Sequence, residues 1–410
     1  MNQETIREIL NRTDRVRCSG SAEEKETAAY LESLCRERGA NVYRESFEVD
    51  VAEVHTAKLT ADGREIPCKG YKLCGSGSVE APLCYLPNTD KASLCLAQGK
   101  IVLLDTGITY WVYHDLLDAG AVGFITYDGD VHYEDRDIDR KRLRPYVSLG
   151  RKVPCVNINA KDAFALVQAA PATVAIRVEQ TESVTTSQNV IAEIPGRTDE
   201  WIALTAHYDT TPLSHGAYDN MSGCIGLLGI LDALKEKAPL RYGLRFIFCG
   251  SEEIGLLGSK AYTAAHEKDL EKIALNINLD MIGTYMGRII ACVSAEDKLL
   301  HYLEYMCALR GWGLAGRQDV YSSDSTPFAD NGVPALSFAR IAPKSQATIH
   351  NRYDTKALLS EEQLLADIAF IADFTQSMAD AVRCPVSKDI PENIQNKLDE
   401  YLLRKRKKEN

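Results

Sequence analysis

The chain has 410 residues, of which 45% are hydrophobic and 26% are charged. A chain of this length predicts two domains, or one large domain with an insertion, and its composition excludes bulk disorder. The formal net charge of -11 argues against a general binder of nucleic acid or of anionic membranes, because such a protein needs a basic surface.

The sequence also bears on the compartment. The first twenty residues are charged and helix-patterned, without the apolar core of a secretory signal, and no stretch approaches the roughly 18 apolar residues of a membrane span. Twelve cysteines at irregular spacings, without a C-x-x-C motif, indicate reduced thiols. We therefore expect a cytoplasmic protein without membrane or nucleic-acid partners, and the oligomeric state stays open.

Two helices and a strand are predicted at the start of the chain. Residues 3–11 have a helical pattern, and Ser21 and Glu24 belong to a capping box that opens a second helix, which ends near Arg38. The alternating residues 41–51 predict a strand.

The pattern changes in residues 53–185. Asp62-Gly63 predicts a hairpin, and a strand, a helix and another strand are predicted between residues 100 and 127. This segment lacks clustered histidine and acidic residues, so we predict a smaller, β-rich α/β domain inserted into the chain.

From residue 186 onward, strands and helices alternate. This pattern predicts an α/β fold with a mixed, largely parallel sheet and helices on both faces, built from residues 1–52 and 186–384. Residues 385–410 would form a C-terminal helical tail. The predicted helices cover residues 221–237 and 360–382, and the predicted strands cover residues 189–194, 202–206, 244–249, 274–279, 287–293 and 335–338.

Histidine and acidic residues follow several of these strands. The carboxyl ends of the strands in an open α/β sheet form the edge where sites are built. Each residue alone has a structural explanation, such as a helix cap, but together they suit a pair of divalent ions, with zinc as the first choice. These residues are His207, Asp209, Asp219, Glu252, Glu253, Asp280 and His350.

Five of these residues can form the metal site. Two adjacent ions need a bridging carboxylate, and each ion needs a terminal imidazole and a terminal carboxylate. Asp219 can bridge the ions. His207 and Asp280 can complete one ion, and His350 and Glu253 can complete the other.

Two acidic residues remain, and both have a catalytic use. Adjacent residues point in different directions, so Glu252 can face the bridging water as general base while Glu253 binds metal. Asp209, two residues after His207, can hold that imidazole's tautomer from behind. This arrangement predicts hydrolysis of an unactivated amide bond.

Five motifs occur in order along the chain: HYD, GAYDNMSG, SEEIGLLGS, NLDMIG and IHNRYDT. The set resembles peptidase family M28, the co-catalytic zinc peptidases that include aminopeptidase Y and the bacterial leucyl aminopeptidases. The resemblance implies the same five ligands, with Glu252 as the base and Asp209 behind His207. It also implies a di-zinc exopeptidase, most simply an aminopeptidase, that acts on a peptide or small amide.

The resemblance extends beyond the ligands to RCSGSAEEKETAAYLESLCRERGANV and SQNVIAEIPG. The middle block, with GKIVLLDTG, AGAVGFITY and VPCVNI, resembles the protease-associated (PA) domain that many members carry inserted here. One departure concerns Ser325, which stands where many relatives have histidine in a loop that usually borders the substrate. Asp324 beside it would either contact a substrate amine or cap a turn.

Three further residues lie near the motifs. His215, between two ligands, is expected to be a bystander. Arg340 and Arg352 are candidates for binding a C-terminal carboxylate, or for pairing with surface acids.

Several functions compete with an aminopeptidase. A carboxypeptidase or an N-acyl amidohydrolase would use the same site. Family M20 has a similar ligand order, but its extra domain usually lies between the third ligand motif and the last histidine, and here only 70 residues separate Asp280 from His350. A glutaminyl cyclase-type acyltransferase works with one zinc, and a non-catalytic binding protein should have lost ligands or the base. The retained His207 and Glu252-Glu253 pair favour hydrolysis.

Overall fold

The computed structural model describes residues 1–105, 107–129, 131, 138, 141–344 and 346–407. They divide into two compact units, one made of Met1–Val49 with Thr186–Asn410, the other of Asp50–Thr185. The sequence placed the domain boundaries after residues 52 and 185, and it treated residues 385–410 as a separate tail. Among the described residues, no helix combines the length and hydrophobicity that crossing a membrane requires.

The secondary structure alternates along most of the chain. The helices are α1 Gln3–Arg12, α2 Ala22–Glu37, α3 Lys91–Leu94, α4 Tyr110–Asp118, α5 Pro145–Ser148, α6 Ala160–Ala169, α7 Ser222–Leu234, α8 Leu257–Ala265, α9 Asp297–Arg310, α10 Ser325–Asp330, α11 Glu361–Ala379 and α12 Glu392–Tyr401. The strands are β1 Asn41–Ala61, β2 Arg64–Ile66, β3 Cys68–Gly70, β4 Gly77–Ala81, β5 Leu83–Leu86, β6 Ile101–Leu104, β7 Gly123–Asp128, β8 Cys155–Asn159, β9 Val174–Ile194, β10 Trp201–His207, β11 Gly243–Cys249, β12 Ile273–Leu279, β13 Arg288–Ser294, β14 Leu314–Gln318 and β15 Ala335–Ile341.

The first unit is built on a sheet with the strand order β14-β13-β15-β12-β10-β11-β9-β1. At its centre, β10 is parallel to both β11 and β12, and β12 is parallel to β15. β9 is antiparallel to β11, and β13 is antiparallel to β15. The predicted mixed, largely parallel sheet is therefore confirmed.

Both faces of the central strands are buried. Along β10, Ile202 and Leu204 belong to a large apolar cluster that includes residues of α7 and α11. Ala203, between them, belongs to a second cluster with Ile247 and Tyr262. Neighbouring residues of a strand point to opposite faces, so helices cover the sheet on both sides, as a parallel sheet requires.

The second unit has its own five-stranded sheet, in the order β3-β8-β7-β6-β5. Strands β5 to β8 pair in parallel, and β3 is antiparallel to β8. The Asp62-Gly63 turn joins β1 to β2, with Ala61 paired to Arg64 and a positive φ at both turn residues. The unit is a smaller α/β structure, and its identity as a PA domain stays a prediction.

The sequence missed β3, β4, β5 and β14, and the full length of two further strands. β1 reaches Ala61, ten residues beyond its predicted end at residue 51, and β9 begins at Val174, before the strand predicted from residue 189. The middle of β9 is largely exposed and polar, so it lacks the apolar alternation that identifies a strand.

Candidate metal centre

Three parallel strands deliver the predicted site residues to one edge of the sheet. β10 ends at His207, β11 ends shortly before Glu252, and β12 ends immediately before Asp280. Asp219 lies in the turn before α7, and His350 lies on the loop that follows β15. The edge predicted from the sequence thus carries all five candidate ligands.

The start of α7 lies close to the end of β12. A Cβ atom on Gly223, in the first turn of α7, would lie only 2.3 Å from the carbonyl oxygen of Leu279, so only glycine permits this approach. The Asn220 amide adds a hydrogen bond of 2.8 Å to the same carbonyl oxygen. These contacts bring the Asp219 turn beside Asp280.

The candidate ligands form two groups that share one residue. Ligand atoms of His207, Asp219 and Asp280 lie within 4.8 Å of one another, and so do those of Asp219, Glu253 and His350. Asp219 Oδ1 lies 3.1 Å from His207 Nε2, and its Oδ2 lies 3.1 Å from His350 Nε2. The two oxygens of Asp219 therefore face different histidines.

The remaining distances complete the two groups. His207 Nε2 lies 3.8 Å from Asp280 Oδ1, and His350 Nε2 lies 3.0 Å from Glu253 Oε2. Glu252 Oε2 lies 4.0 Å from His207 Nε2, so the Glu252 carboxylate faces the His207 group. The structure brings together all the residues that the sequence selected.

The charges of this cluster shift the titration of its members. Burial and the nearby Asp219 together raise the pKa of Glu253 to about 7. Burial opposes the charge on His350, yet hydrogen bonds to Asp219 and Glu253 raise its pKa to about 11. Burial would likewise raise the pKa of Asp219, but hydrogen bonds from His207 and His350 lower it. The carboxylates of the cluster thus favour a positive charge beside them.

Divalent cations fit this cluster. The Asp280 carboxylate is buried, and its Oδ1 has no hydrogen-bond partner among the described residues. A buried carboxylate oxygen in this state is costly unless it is paired or binds a cation. Imidazole nitrogen and carboxylate oxygen are ligands that suit zinc.

Asp209 makes the contact with His207 that the sequence predicted, and further contacts that it did not predict. Its Oδ1 lies 3.5 Å from His207 Nδ1, in the position expected for orienting the imidazole. The same carboxylate also accepts hydrogen bonds from the backbone amides of Glu252 and Glu253, at 2.9 Å and 3.2 Å. Asp209 therefore connects the strand that carries His207 to the turn that carries the two glutamates.

Asp354 was not selected from the sequence, although it lies in the motif IHNRYDT. It is fully buried, and its Oδ1 accepts the amide of Tyr218 at 2.8 Å. Its Oδ2 accepts the amide of Asp219 at 3.1 Å and the Ser214 hydroxyl at 3.4 Å. Asp354 thus ties the His350 loop to the turn that presents Asp219.

Arg17 is a second residue that the sequence did not reveal. It is also fully buried, and its guanidinium donates to the carbonyl oxygens of Tyr208, His215 and Gly216 at 2.8, 2.7 and 3.1 Å. Burial lowers its pKa to about 10. Arg17 joins the ends of the loop between His207 and Asp219. No local sequence pattern identifies this role, because the partners of Arg17 lie about two hundred residues later in the chain.

The other residues considered in the sequence lie outside the two ligand groups. His215 Nδ1 contacts Asp14 at 2.7 Å, which agrees with a bystander. Asp324 is buried, accepts the Ser259 hydroxyl at 2.5 Å and makes no side-chain cap, so the capping expectation was wrong. Ser325 is also buried, with its hydroxyl 2.8 Å from that of Ser337.

Comparisons with known proteins identify the family of this chain. The family model for peptidase family M28 matches residues 189–374, a range that contains every candidate ligand. Aminopeptidase YwaD of Bacillus subtilis (strain 168) is 30% identical over 368 residues, which cover 85% of this chain and 78% of that protein. The probable lipoprotein aminopeptidase LpqL of Mycobacterium tuberculosis is 27% identical, over 68% of this chain and 57% of that protein.

A solved structure extends the likeness to the whole fold. BSAP, a zinc aminopeptidase from Bacillus subtilis, superposes with a TM-score of 0.77 at 25% identity, over 95% of this chain and 99% of that one. The aligned length and the identity to YwaD exclude a chance match of motifs. The chain therefore belongs to peptidase family M28, the family of zinc metallopeptidases that its five motifs resemble.

Proposed function

We propose that the protein is a di-zinc aminopeptidase that releases residues from the free N-terminus of peptides. One observation carries the proposal: the two oxygens of Asp219 face two different histidines, each grouped with a further carboxylate. A single ion would leave one of these groups without a cation. The zinc aminopeptidase among the similar structures supports the choice of metal.

The proposed ligands are His207 and Asp280 for one ion, His350 and Glu253 for the other, and Asp219 for both. When bound, the ions would lower the pKa of the attacking water and polarise the scissile carbonyl. Clustered acids alone can supply neither effect, since they repel the developing negative charge.

Glu252 is the proposed general base. Its carboxylate lies at the edge of the His207 group and would take a proton from the attacking water at one Oε atom, then deliver it to the leaving nitrogen. Asp209 fixes the backbone from which Glu252 projects and orients the His207 ring through Nδ1. Glu252 would thus transfer the proton, and Asp209 would orient the His207 ring.

The contacts of Arg340 remove one of the two candidate residues for binding a C-terminal carboxylate. Its guanidinium forms an ion pair with the fully buried Asp367 at 2.5 Å and donates to the carbonyl oxygen of Gly287. These contacts commit the side chain to the fold, so it is not available to bind a C-terminal carboxylate. The similar curated proteins are also aminopeptidases by name.

A panel of peptides tests the specificity. The zinc-loaded protein should cleave peptides with a free N-terminus whether or not their C-terminus is amidated, and it should not cleave N-acetylated peptides. Preference for a free C-terminus would indicate a carboxypeptidase, and release of acyl groups an N-acyl amidohydrolase.

The variant Glu252→Gln tests the base. It should keep both metals but lose a factor of about 10² to 10⁴ in kcat, the usual contribution of acid–base catalysis. Glu267→Gln, at an exposed position, is the control and should behave as the parent. Full activity of Glu252→Gln would refute the assignment.

A further inference from the structure

The backbone amides of the turn that carries Glu252 donate hydrogen bonds to side chains from other parts of the chain. Four successive amides each donate to a side chain from another part of the chain, rather than to a local carbonyl. The bonds are Gly250 N to Asn189 Oδ1 at 3.2 Å, Ser251 N to Glu24 Oε1 at 3.1 Å, Glu252 N to Asp209 Oδ1 at 2.9 Å and Glu253 N to Asp209 Oδ2 at 3.2 Å. Two carboxylates therefore fix the three residues from Ser251 to Glu253.

Glu24 makes an unusual set of contacts for a residue near a helix start. Its carboxylate is fully buried and accepts four hydrogen bonds from neutral donors. Oε2 accepts the amide of Gly20 at 2.6 Å, whereas Oε1 accepts the Ser187 hydroxyl at 2.8 Å and both the amide and the hydroxyl of Ser251 at 3.1 Å. The Ser251 hydroxyl also lies 2.5 Å from that of Ser19.

The capping box explains only part of this arrangement. Ser21 Oγ accepts the amide of Glu24 at 3.1 Å, as expected for the first half of the box. The second half needs only a bond from Glu24 back to the start of the helix, which an exposed glutamate also makes. Burial of the carboxylate against Ser251 is costly, and the helix cap does not require it.

Ser251 needs an external support. Its φ is +58°, in the left-handed region that a residue other than glycine adopts only at an energetic cost. The next residue is Glu252, so the backbone conformation of Ser251 sets the direction in which the Glu252 side chain leaves the turn. The two hydrogen bonds from Ser251 to Glu24 stabilise this conformation.

We propose that Glu24 is a positioning residue for the reaction, which acts on Glu252 through Ser251 without touching substrate or metal. This inference rests on the proposed role of Glu252 as the base. It connects the first fifty residues of the chain to catalysis, although these residues contribute no candidate ligand.

The variant Glu24→Gln tests the inference because it preserves shape and removes the anionic acceptor. One carboxylate oxygen becomes an NH₂ group, which cannot accept a hydrogen bond, and the remaining neutral oxygen accepts more weakly than a carboxylate oxygen does, so the support of the turn weakens. We expect kcat to fall about 10- to 100-fold, as small misplacements of a reacting group do, with KM within about twofold and two bound metals. Glu23→Gln, next to it on the exposed side of α2, is the control and should match the parent.

A double-mutant cycle separates positioning from general damage. If Glu24 acts through Glu252, then Glu24→Gln should cause no further loss of kcat in the Glu252→Gln background. Equal proportional losses in both backgrounds would overturn the proposal, as would parental kcat for Glu24→Gln. Full activity of Glu252→Gln alone would instead refute the base, so the two failures are distinguishable.

Hydrogen exchange gives a readout that does not depend on turnover. The peptide covering residues 250–256 should exchange faster in Glu24→Gln than in the parent or in Glu23→Gln, in the metal-free and the zinc-loaded protein. If Glu24→Gln does not fold, Ser251→Ala replaces it, since it keeps the amide bond to Glu24 and removes only the contacts of the hydroxyl with Glu24 and Ser19. Ser251→Ala should show a smaller kcat loss that also vanishes in the Glu252→Gln background, and a loss that persists there would overturn the proposal.

Discussion

Asp354 should contribute to stability and to metal binding although it is not a candidate ligand. Replacing it by alanine leaves the buried amides of Tyr218 and Asp219 without their acceptor. An unsatisfied buried amide costs about 1 to 3 kcal/mol. Burial raises the pKa of Asp354 to about 6, which means that burying its charge is itself costly, and alanine removes that cost. We therefore expect Asp354→Ala to lose about 2 to 4 kcal/mol of unfolding free energy.

The same change should weaken metal binding, because Asp354 fixes the turn that presents Asp219. Residues that orient a ligand in this way are worth about 10- to 100-fold in metal affinity. Urea unfolding of the metal-free protein measures the first effect, and zinc titration against a competing chelator measures the second. Asp354→Asn retains one oxygen acceptor and should show roughly half of the stability loss.

Asp380→Ala is the matched control for Asp354→Ala. Asp380 is about half exposed and pairs with Arg197 at 2.7 Å, so its loss should cost under about 1 kcal/mol and leave zinc affinity unchanged. If Asp354→Ala unfolds at the same urea concentration as this control and binds zinc like the parent, the bonds of Asp354 to the Asp219 turn have no energetic role.

Two further changes separate the functions of the cluster. His350→Ala should reduce the bound zinc from two ions to one, because His350 belongs only to the group with Glu253; elemental analysis that finds two ions would contradict this assignment. Asp209→Asn leaves one oxygen for the two amides of Glu252 and Glu253, so kcat should fall by more than zinc affinity does. A loss confined to zinc affinity would mean that Asp209 acts on His207 alone.

The sequence predicted the centre of the sheet better than its periphery. β10, β11 and β12 are short apolar runs buried on both faces, which is the pattern that parallel strands require, and each leads into a polar residue of the site. β14 has the sequence LAGRQ, is partly exposed and lies at the end of the strand order. An edge strand of this kind needs little apolar surface, so it has no hydrophobic run that could identify it.

The candidate metal centre could be proposed from the sequence because ligands must be particular residue types at the ends of particular strands. The residues that support it follow no such rule. Glu24 and Asp354 accept backbone amides 227 and 135 residues away, and every residue except proline has such an amide, so the partner's identity carries no signal. The hydrogen bonds from the Glu252 and Glu253 amides to Asp209 were not predicted for the same reason.

This difference changes how substitutions in the protein should be interpreted. A carboxylate that positions a ligand or the base can lower activity as much as a lost ligand does, so activity alone cannot tell Asp354 or Glu24 from Asp219. Metal content separates Glu24 from the proposed ligands, because loss of a ligand should remove an ion, whereas loss of Glu24 should leave both proposed ions bound and lower kcat. A substitution at Glu24 that removed an ion would show that the turn from Ser251 to Glu253 moves as one body and displaces Glu253 together with Glu252.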